Sequence, residues 1–307
     1  MSSGLKETYT FATYFDSDLG ISGIFSLTES LRQFGGRFAD SEVRMYLPQS
    51  VTIDDAEFKQ RIKEHHVLLK RCRVPESAEK FFYGGKPFAA AAAEADAEKS
   101  GHNLVWLDHD AIFLSEPTAF ELAPDTCLAY LPVMHNRSGT NFESPPDAFW
   151  SRIYELQQLT PEMLFPMITP ADEEKIRAYF HCGILAVRPH KGIMRRWAAE
   201  FKRLCTDDAL IAISEENQTY RIFLHQAALT GAILHTITRD EMLELPEVYN
   251  YPIFFDRQYG AKKPYNDITD AVIIRCVVNL KKIGDNWPDE LIGPDDKKDW
   301  LRNHLAQ

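Results

Sequence analysis

The sequence predicts an α/β protein whose sheet is mostly parallel and flanked by helices. Residues 8–69 alternate strand-like and helix-like segments, the pattern of βαβ units. Residues 104–107 and 183–187 are solid apolar runs of a length that suits strands buried on both faces. The first of these runs breaks off into Asp108, His109 and Asp110 and resumes at Ala111. Acidic side chains are therefore expected at the carboxyl end of an interior strand, where open α/β sheets bind ligands.

Taken in order, residues 8–14 are β-rich, apolar at Tyr9, Phe11 and Ala12, and read as the first strand. A polar turn follows at Asp16, Ser17 and Asp18. Ile24, Leu27, Leu31 and Phe34 then recur at helical spacing up to Gly35 and Gly36. Val43, Met45 and Leu47 alternate as a strand before Pro48, residues 54–65 form a charged amphipathic helix, and residues 67–69 predict a third strand. Lys86 and Pro87 open an alanine-rich helix that Gly101 stops. Proline is tolerated in a first helical turn, and alanine is the strongest helix former. Residues 126–133 predict a further strand.

Residues 135–178 differ in character. They carry Pro145, Pro146, Pro161, Pro166 and Pro170, with helices expected at 148–159 and 172–179. They are expected to form an insertion over the sheet, on the acceptor side, within one domain spanning residues 1–307. Ile193, Trp197, Phe201 and Leu204 then mark one helix face, and residues 219–230 another helix with Gly231 near its end. Residues 233–237 and 271–278 predict late strands, and Asp295–Leu305 a surface helix serving as lid or clasp. Trp106 and Trp197 are expected in the core, Glu215 and Glu216 in solvent.

Composition narrows the function classes. Apolar content of 45% permits a sizeable core, while a net charge of -11 argues against a nucleic-acid partner, which needs clustered Lys and Arg. It leaves room for a nucleotide, which needs only a local site. The five cysteines are scattered and in no metal-like spacing, so they read as reduced thiols of a cytoplasmic protein. No signal peptide and no membrane-spanning run is legible, and the sequons at Asn136 and Asn217 are therefore taken as coincidental.

In an extended chain, side chains two apart share a face, which sets Asp108 and Asp110 on one side and His109 on the other. Two such carboxylates suit a hard divalent cation whose remaining positions are filled by phosphate oxygens.

Several landmarks resemble the GT-A glycosyltransferases that use nucleotide sugars, most closely the glycogenin and bacterial galactosyl- and glucosyltransferase type. Phe11-Ala12-Thr13-Tyr14 with Asp16, and then Ser30-Leu31-Arg32, resemble that family's first strand, nucleotide-binding turn and following helix. Val105 to Asp110 resembles its metal-binding Asp-x-Asp strand. Tyr179-Phe180-His181-Cys182-Gly183-Ile184-Leu185 resembles its Tyr-Phe-Asn-Ser-Gly-Val-Leu segment. His225-Gln226-Ala227-Ala228-Leu229 resembles its Asp-Gln-Asp-Ala-Leu helix, and Leu245-Pro246 with Tyr249-Asn250 its later Leu-Pro and Tyr-Asn pair. In the family's order, these landmarks span nearly the whole chain.

The resemblance implies a mixed, mostly parallel GT-A sheet and a metal-assisted transfer of sugar from a nucleoside-diphosphate donor, a UDP-sugar by resemblance, to an unspecified acceptor. It implies manganese or magnesium on Asp108 and Asp110, where the cation stabilises the charge that develops on the leaving diphosphate. It implies donor contacts from Thr13, Tyr14, Asp16, Lys86, Asp108, His181 and Arg275. It makes His225 a candidate base for an acceptor hydroxyl and Gln226 a hydroxyl-binding group. The departures are as specific as the matches. His181 and His225 replace the family's Asn and Asp, and Arg275 stands about where a His commonly completes the metal site, which leaves that site short of a ligand.

Two other readings compete. One is a degenerate GT-A domain that binds a glycan or a protein. The other is a haloacid-dehalogenase-like phosphatase with Asp108 as nucleophile, against which stand the motif's depth in the chain and Ile112 in place of the usual Thr or Ser.

Overall fold

A computed structural model describes residues 7–15, 23–276 and 280–305. Its strands are β1 (Tyr9–Tyr14), β2 (Glu42–Pro48), β3 (Val67–Cys72), β4 (Asn103–Leu107), β5 (Ala111–Phe113), β6 (Leu128–Tyr130), β7 (Pro166–Ile168), β8 (Lys175–Arg177), β9 (Ile184–Val187), β10 (Met242–Glu244), β11 (Tyr251–Pro252) and β12 (Ile273–Arg275). Its helices are α1 (Gly23–Phe34), α2 (Ala56–Glu64), α3 (Glu76–Glu79), α4 (Lys86–Ser100), α5 (Ala148–Gln157), α6 (Ile193–Leu204), α7 (Asp208–Glu216), α8 (Gln218–Leu234), α9 (Phe255–Tyr259), α10 (Leu280–Ile283) and α11 (Asp295–Leu305).

The main sheet has the order β10-β6-β9-β4-β1-β2-β3. All its pairings are parallel except those of β9, which runs against both β4 and β6. This is the mixed, mostly parallel sheet that the landmarks imply. Strand alternation divides its core in two. Ala12, Tyr14, Leu104, Trp106, Leu185 and Val187 face the layer containing α4, α6 and α8, while Phe11, Val43, Met45, Val105, Leu107, Ile184 and Ala186 face the layer of α1. Burial on both faces is why these strands read as continuous apolar runs. In α4, Ala89, Ala90, Ala93 and Ala97 are fully buried, so their small side chains seat the helix close on the sheet. Gly101 ends it in the left-handed conformation, at φ 70°.

A second sheet, β11-β12-β5, positions the site. Beyond β4 the chain turns at residues 108–110 and leaves the main sheet, and β5 pairs antiparallel with β12 so that Ala111 lies opposite Arg275. Asp108 N donates to Gly183 O at 2.8 Å and Ala111 N to Asp108 O at 3.1 Å, which closes the turn. The two aspartates are thus brought together by a turn, and the extended alternation expected from the sequence does not apply there.

Other expectations are corrected. Residues 172–179 form no helix. Instead β8 pairs with β7, and Met167 and Ile176 are buried while their strand neighbours stay open to solvent, a period of two that the proline-rich context hid. Residues 233–237 form no strand, because α8 runs on to Leu234. Gly231 does not end that helix. It gives the Gln157 side chain room against it, and Gln157 Nε2 donates to Ala228 O at 2.9 Å. Of residues 126–133 only β6 is strand, and of 271–278 only β12, with 277–279 outside the described residues. The helix at Asp295–Leu305 is present as α11. Leu301 is buried beside Trp287 and Ile274, and Trp300 packs edge-on against Phe34 at 5.9 Å, which makes it a clasp. Among the described residues, no helix is long and apolar enough to cross a membrane.

Candidate active site

A cleft of about 530 Å³ opens at the carboxyl ends of β1 and β4 and is lined by Tyr14, Lys86, Asp108, Asp110, His181, His225, Gln226 and Arg275. Eight of the ten residues singled out in the sequence therefore converge on one cavity. Thr13 does not line it. This residue is 1% exposed, and its hydroxyl oxygen has no hydrogen-bond partner among the described residues. Asp16 lies outside the described residues.

Four charges form the floor. Arg275 reaches in from the end of β12, with Nη2 2.9 Å from Asp108 Oδ2, Nε 2.7 Å from Asp110 Oδ1, and Nη2 donating to Asp110 Oδ2 at 3.1 Å. Lys86, in the first turn of α4, pairs with the remaining oxygen, Asp108 Oδ1. Each of the four carboxylate oxygens thus has a protein cation beside it. Burial opposes charge on Asp108, but Lys86 and then Arg275 outweigh it and hold the carboxyl well below its ordinary value. Burial likewise works against Lys86 and Arg275, and their aspartate partners keep both protonated beyond their usual range. Arg275 is part of the cleft lining, and its Nη1 is buried without a hydrogen-bond acceptor among the described residues. Gly183 gives the cluster room, because a Cβ there would run into Asp108 Oδ2 and lie 2.8 Å from Arg275 Nη1.

A second layer sits behind these charges. Cys182 Sγ is 3.5 Å from Lys86 Nζ and 3.4 Å from His225 Nε2. His225 Nδ1 lies 2.8 Å from Ile222 O, a contact only a ring N–H can make, so Nε2 is the acceptor that faces the thiol. Burial, and then the charge of Lys86, push His225 down to about 3, so it is neutral near pH 7. Burial, and then Arg275, push His181 down to about 3, and its Nδ1 accepts from Gly183 N at 3.2 Å. Gln226 Oε1 accepts from Cys182 N at 3.3 Å. Tyr14 is 5% exposed at the end of β1, and Gly85 gives its hydroxyl room beside α4.

Sequence reasoning missed other lining residues, notably Tyr83, His135, Ser138, Phe255 and Tyr259. Tyr83 had a usable signal, since Phe81-Phe82-Tyr83-Gly84-Gly85 places aromatic rings and glycines directly before a helix. Its φ of 59° turns the chain into α4, and Lys86 Nζ lies 5.7 Å from its ring. The others come from residues 135–178 and from α9, and only the fold places them here.

The donor set does not fit the divalent ion that the resemblance implies. The described residues contain no group of three or more His, Cys, Asp and Glu side chains that could hold a metal. The oxygens of Asp108 and Asp110 that would bind one are each engaged by Arg275 or Lys86. Both oxygens of Asp108, the nucleophile of the phosphatase reading, are likewise paired with protein cations.

Comparison with known proteins bears on the family and the fold. No curated protein matches the sequence. The WbbM bifunctional glycosyltransferase shares 12% identity with a TM-score of 0.50 over 98% of this chain and 52% of its own, so the chain spans about half that protein's length. Mouse xyloside xylosyltransferase 1 shares 12% identity with a TM-score of 0.46, over 89% of this chain and 98% of its own. Core-mannan synthase A of Aspergillus fumigatus, solved in an Mn/GDP form, shares 9% identity with a TM-score of 0.45, over 80% of this chain and 74% of its own. At such identities the likeness concerns the fold. The family assignment rests on the sequence profile of the Rhodobacterales glycosyltransferase domain, which matches residues 11–236, well over half the chain. The chain belongs to that family and is a glycosyltransferase with a GT-A fold.

Proposed function

We propose that the cleft binds a nucleoside-diphosphate sugar, with UDP as the nucleotide, and sets its diphosphate against Arg275 and Lys86. The observation that carries this reading is Arg275 Nη1, a buried guanidinium nitrogen at the carboxyl edge of the sheets with no acceptor among the described residues. A guanidinium recognises phosphate oxygens through just such N–H groups. In the transfer, the bond between the anomeric carbon and the β-phosphate oxygen breaks and its electron pair stays on the phosphate. The acceptor hydroxyl oxygen bonds to the anomeric carbon, and its proton is taken up by the released diphosphate. Fixed donors aimed at the developing charge act without reorganising.

Tyr14, at the end of β1, is assigned to the base and ribose together with Thr13 and Asp16. His181 and Gln226 are assigned to the sugar. His225 is neutral and its Nε2 faces the Cys182 thiol, so in this reading it supports Cys182 and Lys86 and does not act as a base. The whole chain is taken as one transferase unit. Residues 135–178 form its acceptor side, a role supported by His135, Arg137 and Ser138 on the cleft wall.

A panel of nucleotide sugars, each incubated with the protein and assayed for released nucleoside diphosphate, tests the proposal. Slow hydrolysis of at least one UDP-sugar is expected, inhibited by UDP. Hydrolysis of none of them, together with no thermal stabilisation by UDP, would contradict it.

A further inference from the structure

We infer that Arg275 and Lys86 together replace the divalent ion, so that donor binding and transfer proceed without metal. The inference rests on the donor assignment above but is read from different atoms, the four carboxylate oxygens. A divalent ion binds carboxylates by direct contact, at about 2.0–2.6 Å for magnesium or calcium. Here Asp108 Oδ1 is held by Lys86, Asp108 Oδ2 by Arg275 at 2.9 Å, and the two oxygens of Asp110 by Arg275 at 2.7 and 3.1 Å. An ion could reach three of the four oxygens only by displacing Arg275, and the fourth only by displacing Lys86.

The electrostatic balance is the one an ion would give. Two carboxylates with one divalent cation are neutral, and so are two carboxylates with one guanidinium and one ammonium. A guanidinium does not deprotonate in a protein, so this charge is permanent. The protein cations are also held in place by the fold. Arg275 is the last residue of β12, in register with Ala111 directly after Asp110, and Lys86 is fixed by the first turn of α4. Both are less than a tenth exposed. Arg275, part of the cleft lining, keeps one donor for an anion, because its Nη1 has no acceptor among the described residues. Asp108 and Asp110 are therefore positioning residues for two cations, and they do not coordinate metal.

Two measurements on the wild-type protein decide the matter. In the first, Mn²⁺ alone is titrated in and followed by its electron paramagnetic resonance. No binding below millimolar ion is expected, and micromolar binding would overturn the inference. In the second, UDP is titrated calorimetrically in EDTA and again in excess Mn²⁺. Affinities equal to within about twofold are expected. UDP bound only in the presence of Mn²⁺ would overturn the inference. UDP bound in neither condition, with Mn²⁺ also unbound, refutes the donor assignment and leaves ion replacement supported by the first measurement. Arg275→Gln provides the converse test, since it frees both oxygens of Asp110 and one of Asp108. It is expected to lose about tenfold or more in UDP affinity in EDTA and to gain Mn²⁺ binding. A folded variant that binds UDP as tightly as wild type would overturn the inference. If the variant does not fold, the two wild-type measurements still decide.

Discussion

Arg275 meets Asp110, 165 positions earlier in the chain, through both Nε and Nη2, at 2.7 and 3.1 Å. Register brings the two together, because β12 runs antiparallel to β5 and ends opposite the residue that follows Asp110. The same guanidinium also reaches Asp108, so one side chain ties the end of β4 to the second sheet.

Truncating that side chain should be costly. Arg275→Ala leaves Asp110 without its cation and Asp108 with Lys86 alone, in a site where the carboxylates are only 18% and 26% exposed. Removing one member of a buried ion pair costs about 3–5 kcal/mol, and partial exposure places this case at the lower end. Urea denaturation of the variant beside wild type measures the loss. A change below about 1 kcal/mol, the range of surface ion pairs, would show that the cluster is solvated.

Acid should weaken the fold well before carboxylates are protonated. The folded-state value of His225 is depressed to about 3 by burial and then Lys86, and the side chain is 2% exposed. Above the unfolded value of about 6.5, both folded and unfolded states hold it neutral and it has no effect on stability. Between there and about 3, the unfolded state binds a proton that the folded state refuses. Stability then falls as pH falls, by about 1.4 kcal/mol per pH unit once fully developed. His181 adds to the loss in the same direction and window. Asp108 acts in the same direction, in a lower window. Its depressed carboxyl contributes stability above the ordinary carboxylate range that is lost only in stronger acid. Denaturation at a series of pH values from 7 to about 4 checks this, and a flat profile that His225→Gln leaves unchanged would contradict it.

Two glycines separate site from scaffold. Gly183→Ala would push a methyl group into Asp108 Oδ2 and toward Arg275 Nη1. It should cost about 1–3 kcal/mol and also weaken UDP binding. Gly231→Ala would press on Gln157, away from the cleft. It should cost a similar amount, about 1–3 kcal/mol, and leave UDP affinity unchanged. Calorimetry with UDP on both variants distinguishes the two, and equal losses of affinity would argue against the placement of the donor.

Much of the framework was legible because burial on both faces leaves a plain mark. The apolar runs around Val105 and Leu185 could be read directly, and the helical spacing of Ile193 to Leu204 likewise. The candidate site was legible as a list, since Lys86, Asp108, Asp110, His181, Gln226 and Arg275 do share one cleft. Its wiring was not. That Lys86 lies beside Asp108, and Arg275 beside both aspartates, depends on how α4 and β12 pack, and no local pattern records that. The reading of Asp108 and Asp110 as alternating strand residues failed because the chain turns there to change sheets. Residues 172–179 were misread because a single buried Ile176 in a three-residue strand gives too short a period to detect. Residues 233–237 were misread because a glycine that makes room for Gln157 looks, in sequence, like one that stops a helix.

The most direct measurement is a crystal structure of the protein with UDP bound. The account predicts diphosphate oxygens within hydrogen-bond distance of Arg275 Nη1 and beside Lys86 Nζ, with both aspartates still paired to those cations. A diphosphate seated elsewhere in the cleft, or Arg275 swung away from Asp108 and Asp110, would contradict it.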